Sequence, residues 1–183
     1  MIEKREEKEE INIQDNFLAQ DEFTNLRVAI TTEYFPWYFS PYKVKGEDQS
    51  TSPGQFFHLI YKDNIPRSEF FGSHFLPIIS TLDISILSRI KLNLNPRLPE
   101  PFYSDFHIDI LDLAEDVAPK FTTSIFYIGT NNGYTELENG QKIESVANRL
   151  VSFPLNIKHR GVTQTDEQRR MVINFNYLKG YRT

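Results

Sequence analysis

The chain has 183 residues, 39% of them hydrophobic and 25% charged, enough apolar material for the core of one domain and too much for wholesale disorder. Twenty Lys and Arg against 25 Asp and Glu give a formal charge of -5, which argues against a protein whose main task is to coat phosphate backbones. Cysteine is absent, so disulfides, thiolate nucleophiles and thiolate metal sites are excluded, and any metal must be held by nitrogen and oxygen.

Residues 1–10 carry eight charges in ten positions and read as a solvated tail or a frayed helix start, unlike a secretory signal. No apolar run approaches the roughly 18–20 residues of a membrane span. The expectation is a soluble, cytoplasmic protein of one domain over 1–183, with a charged tail, an aromatic and helical support layer over 11–88, and a β core over 89–178. From Ile11 the chain is rich in aromatics. In FPWYFSPY, Pro36 and Pro41 forbid a continuous helix, so 34–42 is expected to be an aromatic flap packed on the core. GEDQSTSPG (46–54) is a loop composition. Over 55–87, Phe71, Phe75, Ile78, Ile79, Leu82 and Ile86 recur at helical spacing, with Ser68 and Glu69 as a start signal and Pro77 as a kink or divide. His58 and His74 fall in this region and read as structural.

After residue 88 the period drops to two. Eight short β-rich runs follow: 89–94, 103–109, 121–129, 134–138, 141–146, 148–153, 157–162 and 170–178, separated by turn compositions such as TNNG and ENG. Eight such strands behind a helical layer predict a mainly β fold with N-terminal helices, a jelly roll whose interior accommodates a small ligand.

Within 103–109, His107 and Asp109 are two apart and share a face, while Phe106, Ile108 and Ile110 share the other; Asp105 has the same parity as His107. His159 lies in another expected strand and meets the first pair if the sheets enclose one interior. Two imidazoles and a carboxylate on one side of an ion, with positions left open for a bidentate cosubstrate and dioxygen, is the arrangement of non-haem Fe(II) oxygenases. Taken alone, the tripeptide also suits a core histidine satisfied by hydrogen bonds. The last run adds a second signal. Arg170, Val172, Asn174 and Asn176 alternate with Met171, Ile173, Phe175 and Tyr177, and two asparagines with an arginine on one strand face suggest a polar, ligand-facing lining. Arg170 follows His159 by eleven residues, so a strand, a turn and a return strand bring a guanidinium near the metal, able to grip a carboxylate. A surface ion pair with Asp166 or Glu167 is the plainer use of that arginine.

The ordered set His107-x-Asp109, His159, Arg170 resembles the Fe(II)- and 2-oxoglutarate-dependent dioxygenases of the prolyl-hydroxylase-like branch, from about residue 89 to 178. The run NNGYTELENGQKIESVANRLVSFPLNIKH (131–159) is similar to the phage-type members. The resemblance implies a double-stranded β-helix in which His107, Asp109 and His159 bind Fe(II). It places the far carboxylate of 2-oxoglutarate on Arg170 with Tyr127, and Asn174 facing the cosubstrate. It further implies O2 as second cosubstrate and succinate and CO2 as products. A tyrosine the family often has before the proline of the NPR-like segment is Asn95 here, leaving Asn93 or Asn95 as substitutes. The implied substrate is a small molecule or a prolyl or other peptide side chain. Two other classes fit the scaffold: a non-catalytic jelly-roll structural or binding protein, and a hydrolase using Zn(II) on the same ligands. Membrane association is not expected, nucleic acid is disfavoured by the net charge, and the oligomeric state is not readable.

Overall fold

The computed structural model describes residues 11–44, 46–110 and 113–180; the charged tail at 1–10 lies outside them. Eight strands form one antiparallel sheet. Its path runs β1 (Asn12–Gln14), β9 (Arg149–Pro154), β6 (Phe121–Tyr127), β11 (Arg169–Lys179), β5 (Ile84–Pro96), β3 (Gln55–Lys62) and β2 (Tyr38–Ser40), with β4 (Ile65–Pro66) beside β3. A second sheet holds β10 (His159–Val162), β7 (Asn131–Leu137) and β8 (Lys142–Ser145). This is the jelly-roll architecture expected from the run of short strands.

The period-two pattern of β11 gives each face of the large sheet its own task. Met171, Ile173 and Phe175 join Phe126 of β6 and Ile90 and Leu92 of β5 in the larger core. There they meet helix α1 (Gln20–Thr31) through Phe23, Leu26 and Ile30, and helix α2 (Leu76–Thr81) through Ile78. Phe23 and Phe17 both set an edge against the Phe126 ring, at 5.9 and 5.5 Å. Burying a side chain such as Phe126, with no exposed surface left, contributes about 2–3 kcal/mol. A smaller core lies between the sheets, where Ile125, Tyr127, Val151, Phe153 and Val172 meet Leu137 and Ile143. The rest of that inter-sheet space is a polar cavity.

Several expectations are corrected. The segment 55–87 is not helical throughout: Gln55–Lys62 is a strand inside the sheet, between β2 and β5, and a register shift between Leu59 and Tyr61 breaks the alternation that marks a strand. Helical residues are confined to a π-helical turn Phe71–Phe75 and to α2, where Pro77 is tolerated in the first turn because its missing N–H needs no partner there. Helix α1 falls within the helical support layer expected over 11–88, at a position the reading did not assign, with Phe23, Leu26 and Ile30 as its buried stripe. The expected strand 103–109 is reduced to two bridges to β10, Tyr103 with Val162 and His107 with His159. In the aromatic stretch, Phe35 is buried against the rings of Trp37, His58 and Phe70, whereas Tyr34, Tyr38 and Phe39 remain exposed. His58 is buried with Nδ1 at the Pro36 carbonyl, a structural role. No helix among the described residues is long and apolar enough to cross a membrane.

Candidate active site

The backbone brings the two histidines together. His107 N–H donates to the His159 carbonyl and His159 N–H donates to the His107 carbonyl, both at 3.0 Å, a hydrogen-bonded antiparallel pair that fixes both residues side by side. The rings stand 4.7 Å apart between centroids. Asp109, two residues on, completes the group: one ligand atom from each of His107, Asp109 and His159 lies within 4.8 Å of the others. Nε2 of His107 is 4.0 Å from Oδ1 of Asp109. Two donors bonded to one ion at roughly 2.1 Å are at most roughly 4.2 Å apart, so a closure of about half an ångström puts all three on one metal.

The protonation chemistry suits a metal. Nδ1 of His107 donates to the Asp105 carbonyl at 3.0 Å, which leaves the Nε2 lone pair free towards Asp109. Asp105 therefore contributes its backbone here and leaves its side chain in solvent. Burial pushes the His159 imidazole down to about 4, so it is neutral and ligation-competent at pH 7. Its Nδ1 is buried with no hydrogen-bond partner. Burial by itself would raise the Asp109 carboxyl, but the Arg89 guanidinium, aided by His159 and His107, overrides it and holds the acid well below the ordinary carboxylate range. Arg89 Nη2 lies 2.8 Å from Asp109 Oδ1, and the amides of Asn174 and Asn176 donate to Oδ2 at 3.3 and 3.0 Å. Asp109 is thus ionised and held in one orientation, with Asn176 itself tied to Arg89 Nε at 3.0 Å.

Arg170 opens β11 on the same inner face. It is buried and forms no ion pair with Asp166 or Glu167; instead Nε donates to Ser145 Oγ at 2.9 Å and Nη2 to Thr135 Oγ1 at 3.3 Å. Among the described residues no carboxylate is paired with it. Tyr127 is fully buried, its hydroxyl donating to the same Thr135 Oγ1 at 2.8 Å and its ring lying 5.7 Å below the guanidinium carbon. Tyr127 and Thr135 therefore fix the arginine. Two glycines keep the space open. A Cβ on Gly133 would strike the Val162 carbonyl at 2.8 Å and Arg170 Cδ at 2.9 Å. One on Gly161, on the face of β10 that carries His159, would stand 3.8 Å from Arg170 Nη1, and any longer side chain would crowd the guanidinium.

Asn174, expected to face the cosubstrate, lines the cavity four residues along β11 from Arg170 and donates to Asp109. Of the two candidate substitutes for the absent tyrosine, Asn95 pairs with Lys43 through Oδ1, and Asn93 Oδ1 is buried without a partner. A cavity of about 1060 Å³ joins His107, Asp109 and His159 to Arg170, Thr135 and Asn174. Its wall also carries Arg89 and Lys91, which the sequence reading passed over, in line with Asn93 and Asn95 on β5 and opposite Asn176, Asn174, Val172 and Arg170 of β11. The signal was present in RIKLNLN, where polar residues alternate with Ile90, Leu92 and Leu94. The same parity argument applied to β11 identifies this face.

No family model matches the sequence, and no curated protein is significantly similar to it. Solved structures are. The chain is similar to a prolyl-4-hydroxylase from Pseudomonas putida, at TM-score 0.61 and 15% identity over 94% of each chain. A prolyl hydroxylase from Trichoplax adhaerens, solved with a hypoxia inducible factor peptide fragment, matches at TM-score 0.60 and 17% identity, over 92% of this chain and 83% of that one. A 2OG-Fe(II) oxygenase family protein from Burkholderia pseudomallei matches at TM-score 0.60 and 10% identity, over 93% and 86%. The chain has the fold of the prolyl hydroxylases and related 2-oxoglutarate- and Fe(II)-dependent oxygenases.

Proposed function

We propose that the protein is an Fe(II)- and 2-oxoglutarate-dependent dioxygenase that hydroxylates a small molecule or a peptide side chain. The observation that carries this reading is the pairing, in one cavity, of a His107–Asp109–His159 donor group with a buried guanidinium that has no carboxylate of its own. His107 through Nε2, Asp109 and His159 would hold the ion on one side, leaving its other side to the cavity. When bound, Fe(II) activates dioxygen at the expense of 2-oxoglutarate, which is converted to succinate and CO2 while the substrate gains a hydroxyl oxygen.

The chain's own residues bind and orient. Arg170 offers a rigid fork to the far carboxylate of 2-oxoglutarate, and Thr135, Ser145 and Tyr127 hold that fork before the anion arrives. Asn174 and Asn176 keep the Asp109 carboxylate turned, and Arg89 keeps it ionised. The inter-sheet core of Ile125, Val151, Phe153 and Val172 excludes water from that end of the cavity. The structural relative solved with a peptide fragment supports a peptide as one class of substrate. The test is succinate release from 2-oxoglutarate under air with Fe(II): the reading requires release that depends on Fe(II) and O2 and is lost in His107→Ala. A folded, metal-loaded protein that releases none overturns it.

A further inference from the structure

Four buried or half-buried cationic side chains line this cavity: Lys43, Arg89, Lys91 and Arg170. Three have a use. Arg89 pairs with Asp109, Lys43 with the Asn95 side chain, and Arg170 with Ser145 and Thr135. Lys91 has none. Its ammonium makes no hydrogen bond or ion pair among the described residues; it rests over the Phe57 ring at 5.3 Å and feels the Asp109 carboxylate only through longer-range attraction. Of the acids at the cavity, Asp63 and Asp105 are exposed and Asp109 is already held by Arg89 and two amides. Lys91 is half-buried, so its ammonium reaches the cavity with its donors open to a ligand. Burial pushes its pKa down to about 8, which still leaves it mostly charged at pH 7.

Its position distinguishes it from Arg170. Lys91 lies opposite Asn174 across β5 and β11, whereas Arg170 lies opposite Asn95, four residues and roughly 13 Å away along the strand. Asn174 bonds Asp109, so Lys91 is at the metal end of the cavity, where the reacting carbon of a substrate must arrive. Beside it, Asn93 Oδ1 and Asn174 Oδ1 are buried acceptors with no donor. An ammonium and two amide oxygens together match a ligand with an anionic oxygen group next to an N–H or O–H donor.

We propose that Lys91 anchors an anionic oxygen group of the primary substrate, so that the enzyme acts on a small acid, with Asn93 and Asn174 accepting from the donor beside that group. The proposal rests on the dioxygenase reading for the reaction but not for the anion site itself. A carboxylate and a phosphate offer the same chemistry to an ammonium, and the test separates them.

Full-length protein loaded with Mn(II) and saturating 2-oxoglutarate is titrated with acetate, with its uncharged isostere acetamide, and with inorganic phosphate, reading the melting temperature. Acetate or phosphate should raise it saturably while acetamide does not, and the better of the two anions names the group. The rise should vanish in Lys91→Met and in the milder Lys91→Gln, persist in Lys91→Arg, and survive in Arg170→Met. An equal response to acetamide, no response to either anion, or an undiminished response in both neutral variants overturns the proposal. Cosubstrate affinity is read separately from the anaerobic Fe(II) spectrum. A tenfold loss of 2-oxoglutarate affinity in Lys91→Gln would make Lys91 the cosubstrate anchor and also overturn it. Unchanged 2-oxoglutarate affinity in Arg170→Met counts against the function reading alone, leaving the anion response of Lys91 to stand or fall independently.

Discussion

Replacing Arg170 by Met tests two consequences of one geometry: stability should hold while cosubstrate binding falls. The side chain is 4% exposed and its guanidinium is balanced by two hydroxyls and an aromatic face, with no carboxylate. Burying an unpaired charge is unfavourable, and replacement of such groups by apolar ones of similar volume is neutral to stabilising by about 1–4 kcal/mol. Two hydrogen bonds are lost in exchange, at about 1 kcal/mol each, although Thr135 Oγ1 keeps its bond from Tyr127. The metal-free Arg170→Met protein is therefore expected within about 1 kcal/mol of the parent in urea unfolding. Binding of 2-oxoglutarate should instead weaken by about 1.5–3 kcal/mol, or roughly 10- to 150-fold in Kd, because a charge-assisted contact is gone. Isothermal titration with Mn(II) in place of iron measures this without turnover. A large loss of stability with unchanged affinity would show the arginine to be a structural pin and refute the reasoning.

Arg89→Met leaves Asp109 buried without its counter-charge and should destabilise the metal-free protein by about 3–5 kcal/mol; adding Asp109→Asn should recover much of this, as a double-mutant unfolding cycle would measure. His159 has a folded pKa of about 4 against roughly 6.5 unfolded, so the unfolded state binds its proton first as pH falls. The His159 contribution to metal-free stability should be flat above pH 7 and decline by about 3 kcal/mol between pH 6.5 and 4, with this part of the slope absent in His159→Phe. Gly133→Ala forces a Cβ against the Val162 carbonyl and Arg170 Cδ, so it should cost about 1–3 kcal/mol and weaken 2-oxoglutarate binding along with it; a variant with parent stability and affinity would show that β7 gives way freely.

The parts of the fold and site that were legible are those where a single period governs. β11 keeps one face in the helix-side core and one in the cavity, so its alternation reads directly from Arg170 to Tyr177. His107 and Asp109 converge because parity survives in 103–109, even though only two bridges to β10 form there. Where a strand shifts register, the pattern fails: QFFHLIYK in β3 has an irregularity between Leu59 and Tyr61 and carries no steady alternation to set against the helical spacing that follows it. The role of Arg89 was not legible because its partner is 20 residues away across the cavity, and an ion pair at that separation leaves no local trace. Nor does the sequence show that Thr135, rather than a carboxylate, is what Arg170 and Tyr127 share. Asn174 lies on the expected face, and what parity did not reveal is its bond to Asp109, since parity fixes a face without fixing the distance along it.

The central claim is that residues 107, 109 and 159 present one ferrous site to 2-oxoglutarate. Its most direct measurement is the anaerobic visible spectrum of the protein with one equivalent of Fe(II) and excess 2-oxoglutarate. A weak charge-transfer band that appears only with both components, and disappears in His107→Ala and in His159→Ala, is the predicted result. A folded protein that takes up Fe(II) yet shows no band, or one whose band persists without either imidazole, contradicts the account.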